Sequence, residues 1–237
     1  RMERGPSGAR LLRGLDPAKD QSYFLWGLAP EVLPLLHFPL GELTKPEVRE
    51  RARALTLETA EKPESQEICF VPTGDYRDLL EKRLTARHPA LEPGPLVLED
   101  GTVVGEHDGY ASFTVGQRRG LGGGFDRAMF VLEVRPDTRE VVIGPREALQ
   151  MVAIRVETPH WLRSAPEAGA TLAVQVRHRG KALPVEVADR TTEGITLRFM
   201  NPESAASPGQ SAVFFDGEVV VGGGRIEAVE RPSAVTA

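Results

Sequence analysis

The sequence holds one cysteine, Cys69, between Ile68 and Phe70 in the polar, proline-bounded stretch EKPESQEICFVPTGDY. A thiol in such a loop can act as a nucleophile, while a free cysteine among apolar neighbours also serves as a small buried hydrophobe. Glu64 and Glu67 would raise its pKa by like charge. A reactive Cys69 therefore needs activation from elsewhere in the fold, or sulfur in a form more acidic than a thiol. Arg177, His178, Arg179 and Lys181 in VQVRHRGK make a compact basic patch in a chain of net charge −5. Alternation predicts Arg177 and Arg179 on one face of a strand end and His178 on the other. Such a patch suits an RNA backbone, or else guards an edge strand against aggregation. Gln117, Arg118 and Arg119 lead into a glycine-rich run from Gly120 to Gly124. Arginines beside a loop could meet phosphates, or simply form a charged turn. The glycines are not a dinucleotide fingerprint, because FDRAMFVLEV after them returns to a strand instead of opening a helix. His37, His88, His107 and His160 lack metal-ligand spacing, and one cysteine supports no zinc site, so no metal site is expected in these residues.

The elements that must position these groups change character along the chain. The first third reads as helices separated by prolines. Thr44 is a helix cap with Glu47 at capping-box distance and Pro46 in the first turn. Val48, Ala52 and Leu55 then recur at helical spacing, and a further helix is expected from Asp75, with Tyr76, Leu79, Leu80 and Leu84 on one face. The opening stretch RMERGPSGARLLRGLD shows neither a helix start nor a clean strand start, which suggests a beginning in mid-domain. From about Pro93 the period becomes two. GPLVLEDGTVVGEH reads as a hairpin turning at Asp100-Gly101, and AMFVLEVRPDTREVVIG as a hairpin turning near Pro136 and Asp137. YASFTV reads as a strand running into the glycine-rich loop. TLAVQVRHRG, ALPVEVAD, GITLRF and SAVFFDGEVVVGGG, the last with an Asp216-Gly217 turn, complete a set of short strands that fits a small barrel or sandwich.

Composition bounds the rest. The 237 residues leave room for roughly two domains of about 100–150 residues. Hydrophobic residues at 41% and charged residues at 27% argue against wholesale disorder. The longest apolar runs, MFVLEV and AVFF, fall far short of the roughly 20 residues that cross a bilayer. One cysteine excludes an internal disulfide and fits a reducing, cytoplasmic setting. The acidic balance argues against a protein that coats nucleic acid by bulk charge, though not against a local basic groove, since attraction to phosphate is screened within about 10 Å.

Five segments in order, LLRGLDPAKDQSYFL, FPLGELTKPEVR, KPESQEICFVPTGDY, GEHDGYASFTVGQRRGLG and SPGQSAVFFDGEVVVGGGRIE, resemble the bacterial tRNA-specific 2-thiouridylase family. The resemblance covers about Leu11 to Glu227. It implies a mixed α and β protein in consecutive parts. Residues 1–70 would be the helical C-terminal end of a Rossmann-like PP-loop ATP-pyrophosphatase domain with the Cys69 loop. Residues 71–147 would be a small central β-rich domain, 148–231 a C-terminal β-barrel, and 232–237 a tail. The implied reaction uses ATP, with Mg2+ expected beside it, to adenylate the C2 oxygen of the wobble uridine in tRNAs for Lys, Glu and Gln. A cysteine persulfide then displaces AMP, and a disulfide between two cysteines closes the cycle. By motif, Cys69 matches the persulfide-bearing cysteine, and a persulfide is more acidic than a thiol. Lys19, Asp20, Gln21, Arg177, His178 and Gln210 match tRNA-contacting positions. The base would be turned out into a pocket, as base-modifying enzymes require.

The resemblance also implies a persulfide-donor protein, such as a cysteine desulfurase or sulfur relay, as partner, with no membrane and no DNA. The family's ATP loop, its first catalytic cysteine and its Thr-Gly-His stretch are not found in this sequence. The chain is therefore expected to correspond to the C-terminal portion of such an enzyme and not to thiolate tRNA alone. The competing reading is a noncatalytic RNA-binding β-barrel module in which Cys69 is structural. A thiol peroxidase is disfavoured, because nothing in the local sequence places a cation beside Cys69.

Overall fold

The structure, a computed structural model, describes residues 1–6, 8–62, 79, 80, 83, 88–204 and 206–232. Cys69 and most of the helix expected from Asp75 lie outside the described residues; Leu79, Leu80 and Arg83 are helical. The chain divides into two compact units, residues 1–62 with 151–237, and residues 63–150.

In the first unit the front of the chain departs from the helical expectation. It opens with a hairpin, β1 (Met2–Gly5) against β2 (Gly8–Leu11). Two short 3-10 turns follow, Ser22–Phe24 and Pro30–Leu35, and then one α-helix, α1 (Lys45–Ala54). The reason lies in the prolines. Pro30 opens its turn and Pro34 sits inside it, and a proline supplies no N–H to carry a helix onward. α1 starts where the cap pattern places it: the Glu47 carboxylate accepts from the Thr44 N–H and hydroxyl, at 2.6 and 2.7 Å. Those bonds hold the Glu47 carboxyl below its ordinary range.

In the second unit a four-stranded sheet runs β4-β3-β6-β5, from β3 (Gly94–Val97), β4 (Val103–His107), β5 (Met129–Arg135) and β6 (Glu140–Pro145). Only β3 and β6 pair in parallel. The Asp100-Gly101 turn forms as expected, with Gly101 at φ +86° and the Thr102 N–H bonded to the Asp100 carboxylate at 2.9 Å. Both faces of this sheet are covered. Leu96, Val131 and Val141 pack on one side, and Val97, Leu132 and Val142 on the other. YASFTV is not a strand. Tyr110–Ser112 forms a 3-10 turn, and the Gln117 amide ties off the next one by accepting from the Thr114 N–H and donating to the Arg119 carbonyl.

The rest of the first unit is a closed six-stranded barrel. It uses β7 (Gln150–Trp161), β8 (Thr171–Gln175), β9 (Leu183–Arg190), β10 (Gly194–Ser204), β11 (Ser211–Asp216) and β12 (Val219–Glu230), in the order β10-β7-β12-β11-β8-β9. Strand β7 is the one that the sequence reading passed over. Met151, Ile154 and Val156 of this strand pack in the barrel core. The barrel also has a covered outer face. Ala212 and Phe214 point inward, whereas Val213 and Phe215 pack against Leu11, Tyr23 and Leu33 from the front of the chain. That explains why Ala212, Val213, Phe214 and Phe215 are apolar without a break: each of the four is fully buried, on one side of the strand or the other.

Candidate nucleic-acid interface

The front segment docks on the barrel where Gly223 of β12 gives the Trp26 ring room. A Cβ on Gly223 would stand 2.7 Å from the Trp26 ring and 2.8 Å from the Ala212 carbonyl oxygen. Close to this contact, His160 Nε2 donates to the Leu28 carbonyl at 2.7 Å. The Arg13 guanidinium lies over the Phe215 ring, with Cζ 3.5 Å from the centroid. It also donates to Gln175 at 3.1 Å and to Asp20 at 3.4 Å. Burial pulls the Arg13 pKa down, and the neighbouring Asp20 carboxylate opposes that shift.

These contacts fix residues 19–24. Asp20 faces inward. Its Oδ1 accepts from the N–H groups of Gly14 and Ser22, and its Oδ2 from the Ser22 hydroxyl and Arg13. Lys19 and Gln21, on either side, are exposed. The three residues also help to line a cavity of about 430 Å³ whose apolar wall includes Leu11, Leu25, Phe38 and Val48.

Tyr23 joins the next two predicted segments to this one. Its hydroxyl donates to the Ser211 carbonyl, beside Gln210, at 2.9 Å. Its ring stands 6.1 Å from the His178 ring, and Phe24 stands 4.6 Å from it. Burial raises the Tyr23 pKa, with the Arg225 charge acting the other way. Three stretches, the first more than a hundred residues from the other two, therefore meet at one aromatic side chain. That meeting cannot be read from spacing. Tyr23, Phe24, Arg13 and Arg225 are the members that the sequence reading missed. The nearest signal was the dense aromatic content of QSYFLWGL.

The basic patch sits on a turn, not on a strand face. β8 ends at Gln175, and Arg177 to Gly180 turn back with Arg179 at φ +61°. The Gly180 N–H bonds to the Arg177 carbonyl at 3.0 Å. The strict alternation expected of Arg177, His178 and Arg179 does not apply in a turn. Arg177 and Arg179 are exposed, His178 is half-buried under Phe24, and among the described residues neither arginine nor Lys181 forms an ion pair. Gln210 sits in the turn before β11. Its N–H bonds to the Ser207 carbonyl and its carbonyl accepts from Ile226. Its buried side-chain oxygen has no partner among the described residues, which leaves an acceptor to be satisfied.

Chemistry elsewhere in the described residues is sparse. No group of three or more histidines, cysteines, aspartates or glutamates could hold a metal. No described helix is long and apolar enough to cross a membrane. Gly120 to Gly124 runs on towards β5 as an exposed loop pinned by the buried Leu121, with no helix N-terminus behind it.

Family models match the chain in three consecutive stretches. Residues 1–73 match a tRNA methyl transferase HUP domain, residues 78–145 a tRNA methyl transferase PRC-barrel domain, and residues 151–226 an aminomethyltransferase beta-barrel domain. The tRNA-specific 2-thiouridylase MnmA of Rhodospirillum centenum is 44% identical over 239 residues, covering 98% of this chain and 60% of the relative. That of Roseiflexus castenholzii is 44% identical over 227 residues, covering 93% and 60%. That of Rickettsia canadensis is 40% identical over 224 residues, covering 94% and 60%. The chain thus spans about three fifths of the length of these relatives.

Proposed function

The chain belongs to the tRNA-specific 2-thiouridylase family, and we propose that it provides the tRNA-holding surface and the sulfur-carrying cysteine of an ATP-dependent tRNA 2-thiouridylase. The observation that carries this reading is the convergence on Tyr23. The stretch holding Lys19, Asp20 and Gln21, the turn holding Arg177 and His178, and the turn holding Gln210 share one surface although the sequence sets them far apart. Exposed Lys19 and Arg177 would meet phosphates. The His178 ring would meet a base or ribose, the half-buried Gln210 would border that contact, and Asp20 would hold the segment in shape from within.

In this reading the substrate is a wobble uridine of a tRNA for Lys, Glu or Gln whose C2 oxygen ATP has adenylated. A persulfide on Cys69, loaded by a donor protein, attacks C2 through its terminal sulfur, and AMP leaves with the original oxygen. A second cysteine, not found in this sequence, then attacks the inner sulfur of Cys69. The S–S bond to the transferred sulfur breaks, the thiolated base is released, and a disulfide remains for a cellular thiol to reduce. ATP and its Mg2+ belong to the same reading. Gly120 to Gly124 is not assigned to them, because the run leads into strand β5 and not into a helix. The residue boundaries that go with this reading are 1–70 for the end of the ATP-pyrophosphatase domain, 71–147 for the central domain and 148–231 for the barrel.

The deciding experiment measures binding of the chain to a tRNA for Glu across a salt series, and persulfide loading of Cys69 by a cysteine desulfurase with cysteine. Salt-sensitive binding and a mass gain of one sulfur atom are expected. Cys69→Ser should abolish that gain and leave tRNA affinity within about twofold, since the substitution removes no charge. Binding without loading would favour the noncatalytic RNA-binding module. No binding by the folded chain would remove the assignment of this surface.

A further inference from the structure

We infer that Phe24, together with the edge of His178, is a stacking surface for one unpaired base of the bound RNA; the inference rests on the RNA-binding reading above. Phe24 is 56% exposed, although it sits on a turn whose neighbours Ser22 and Tyr23 are buried. A large ring left in water at a fixed place calls for a partner. The fixing is evident. Tyr23 meets Phe24 edge-on at 5.4 Å and 85°, and is itself held by its bond to the Ser211 carbonyl. His178 also packs against Phe24, at 4.6 Å and 49°, and stands 6.1 Å from Tyr23, so the three rings form one cluster. The ring is therefore presented on a rigid mount.

The surroundings indicate what covers it. His178 comes on the turn that carries Arg177, Arg179 and Lys181, none of them ion-paired among the described residues. A ring beside unpaired cations matches a nucleotide, whose base covers the ring while its phosphates meet the cations. A protein partner would have to bring both an apolar spot and several carboxylates to the same place. A base already stacked in a duplex has no free face, so the nucleotide must be unpaired. Base–aromatic stacking tolerates any base, so Phe24 would add affinity and pose without reading sequence.

The experiment compares the chain with Phe24→Ala, Phe24→Leu and Phe24→Tyr, each binding a tRNA for Glu, a short single-stranded RNA and a fully paired RNA duplex over a salt series. Thermal melts check that each variant is folded. Loss of affinity by roughly tenfold is expected for Ala and for Leu on the tRNA and on the single strand, with Tyr close to the parent. The salt slope should stay unchanged, because no charge is lost. Parent-like binding by Phe24→Leu or Phe24→Ala while the parent chain binds tRNA would overturn the stacking role and leave the RNA-binding reading standing. An equal loss on the duplex would also overturn it. Failure of the parent chain to bind any of the three RNAs would sink both.

Discussion

At Arg177 and Tyr23 the function proposed here reduces to one charge and one hydroxyl. Arg177 is exposed and unpaired among the described residues, so its positive charge is available to a phosphate. Arg177→Ala should weaken tRNA binding at every salt concentration and reduce the slope of log affinity against log salt by about one; an unchanged slope would take Arg177 out of the interface. Tyr23 acts through its hydroxyl. Tyr23→Phe should cost roughly 1 kcal/mol through the lost bond to Ser211, read in a urea melt. The same hydroxyl sets an alkaline limit. Because burial raises its pKa in the fold, the contribution of the protonated phenol is complete below the unfolded value of about 10 and is lost as pH rises through the folded value. The parent should therefore lose stability in that window, and Tyr23→Phe should lose less.

Among the elements, the decisive contact is between the turn at residues 22–28 and strand β12. The Trp26 ring lies where a side chain on Gly223 would have to be, with the Ala212 carbonyl equally close. Gly223→Ala should destabilise the chain by about 1–3 kcal/mol, because neither a strand backbone nor a half-buried indole moves cheaply. A parent-like midpoint in chemical denaturation would show that Trp26 can leave this face freely. The barrel turn at Arg177 to Gly180 makes a related point. Ending β8 at Gln175 frees Arg177 and Arg179 from the alternation of the strand, and it brings His178 under Phe24. A strand that ends at Gln175, before the charged residues instead of among them, is what turns a charged strand end into a presented patch.

Across the whole first unit, residues 1–62 and the barrel share one core. Val213, Phe215 and Val220 of the barrel pack with Leu11, Tyr23 and Leu33 of the front segment. Phe215→Ala should cost roughly 3–5 kcal/mol and lower amide protection in β2 and in β11 together. Protection lost from β11 alone would contradict a shared core. This sharing is also what places Lys19, Gln21 and Gln210 on one surface, so a cavity made at Phe215 should weaken tRNA binding through position, without any change of charge.

Hairpins at Asp100-Gly101 and Asp216-Gly217, the helix start at Thr44 and the series of short barrel strands were legible from the residues, because each rests on local rules of turn geometry, capping or period. The family, and with it the residues to examine, was legible from five ordered motifs. What the local rules missed had nonlocal causes. MVAIRVE in β7 was passed over. The front segment became turns because its prolines break helices and because Tyr23, Trp26 and Leu28 find partners on the barrel, more than a hundred residues away. Asp20 turned inward because Arg13 and two backbone N–H groups meet it there. Residue types and near-neighbour spacing thus fixed which groups the chain has and where most of its strands begin. Only the folded chain decided which groups share a surface, since that depends on contacts between segments whose separation in sequence carries no record of their distance in space.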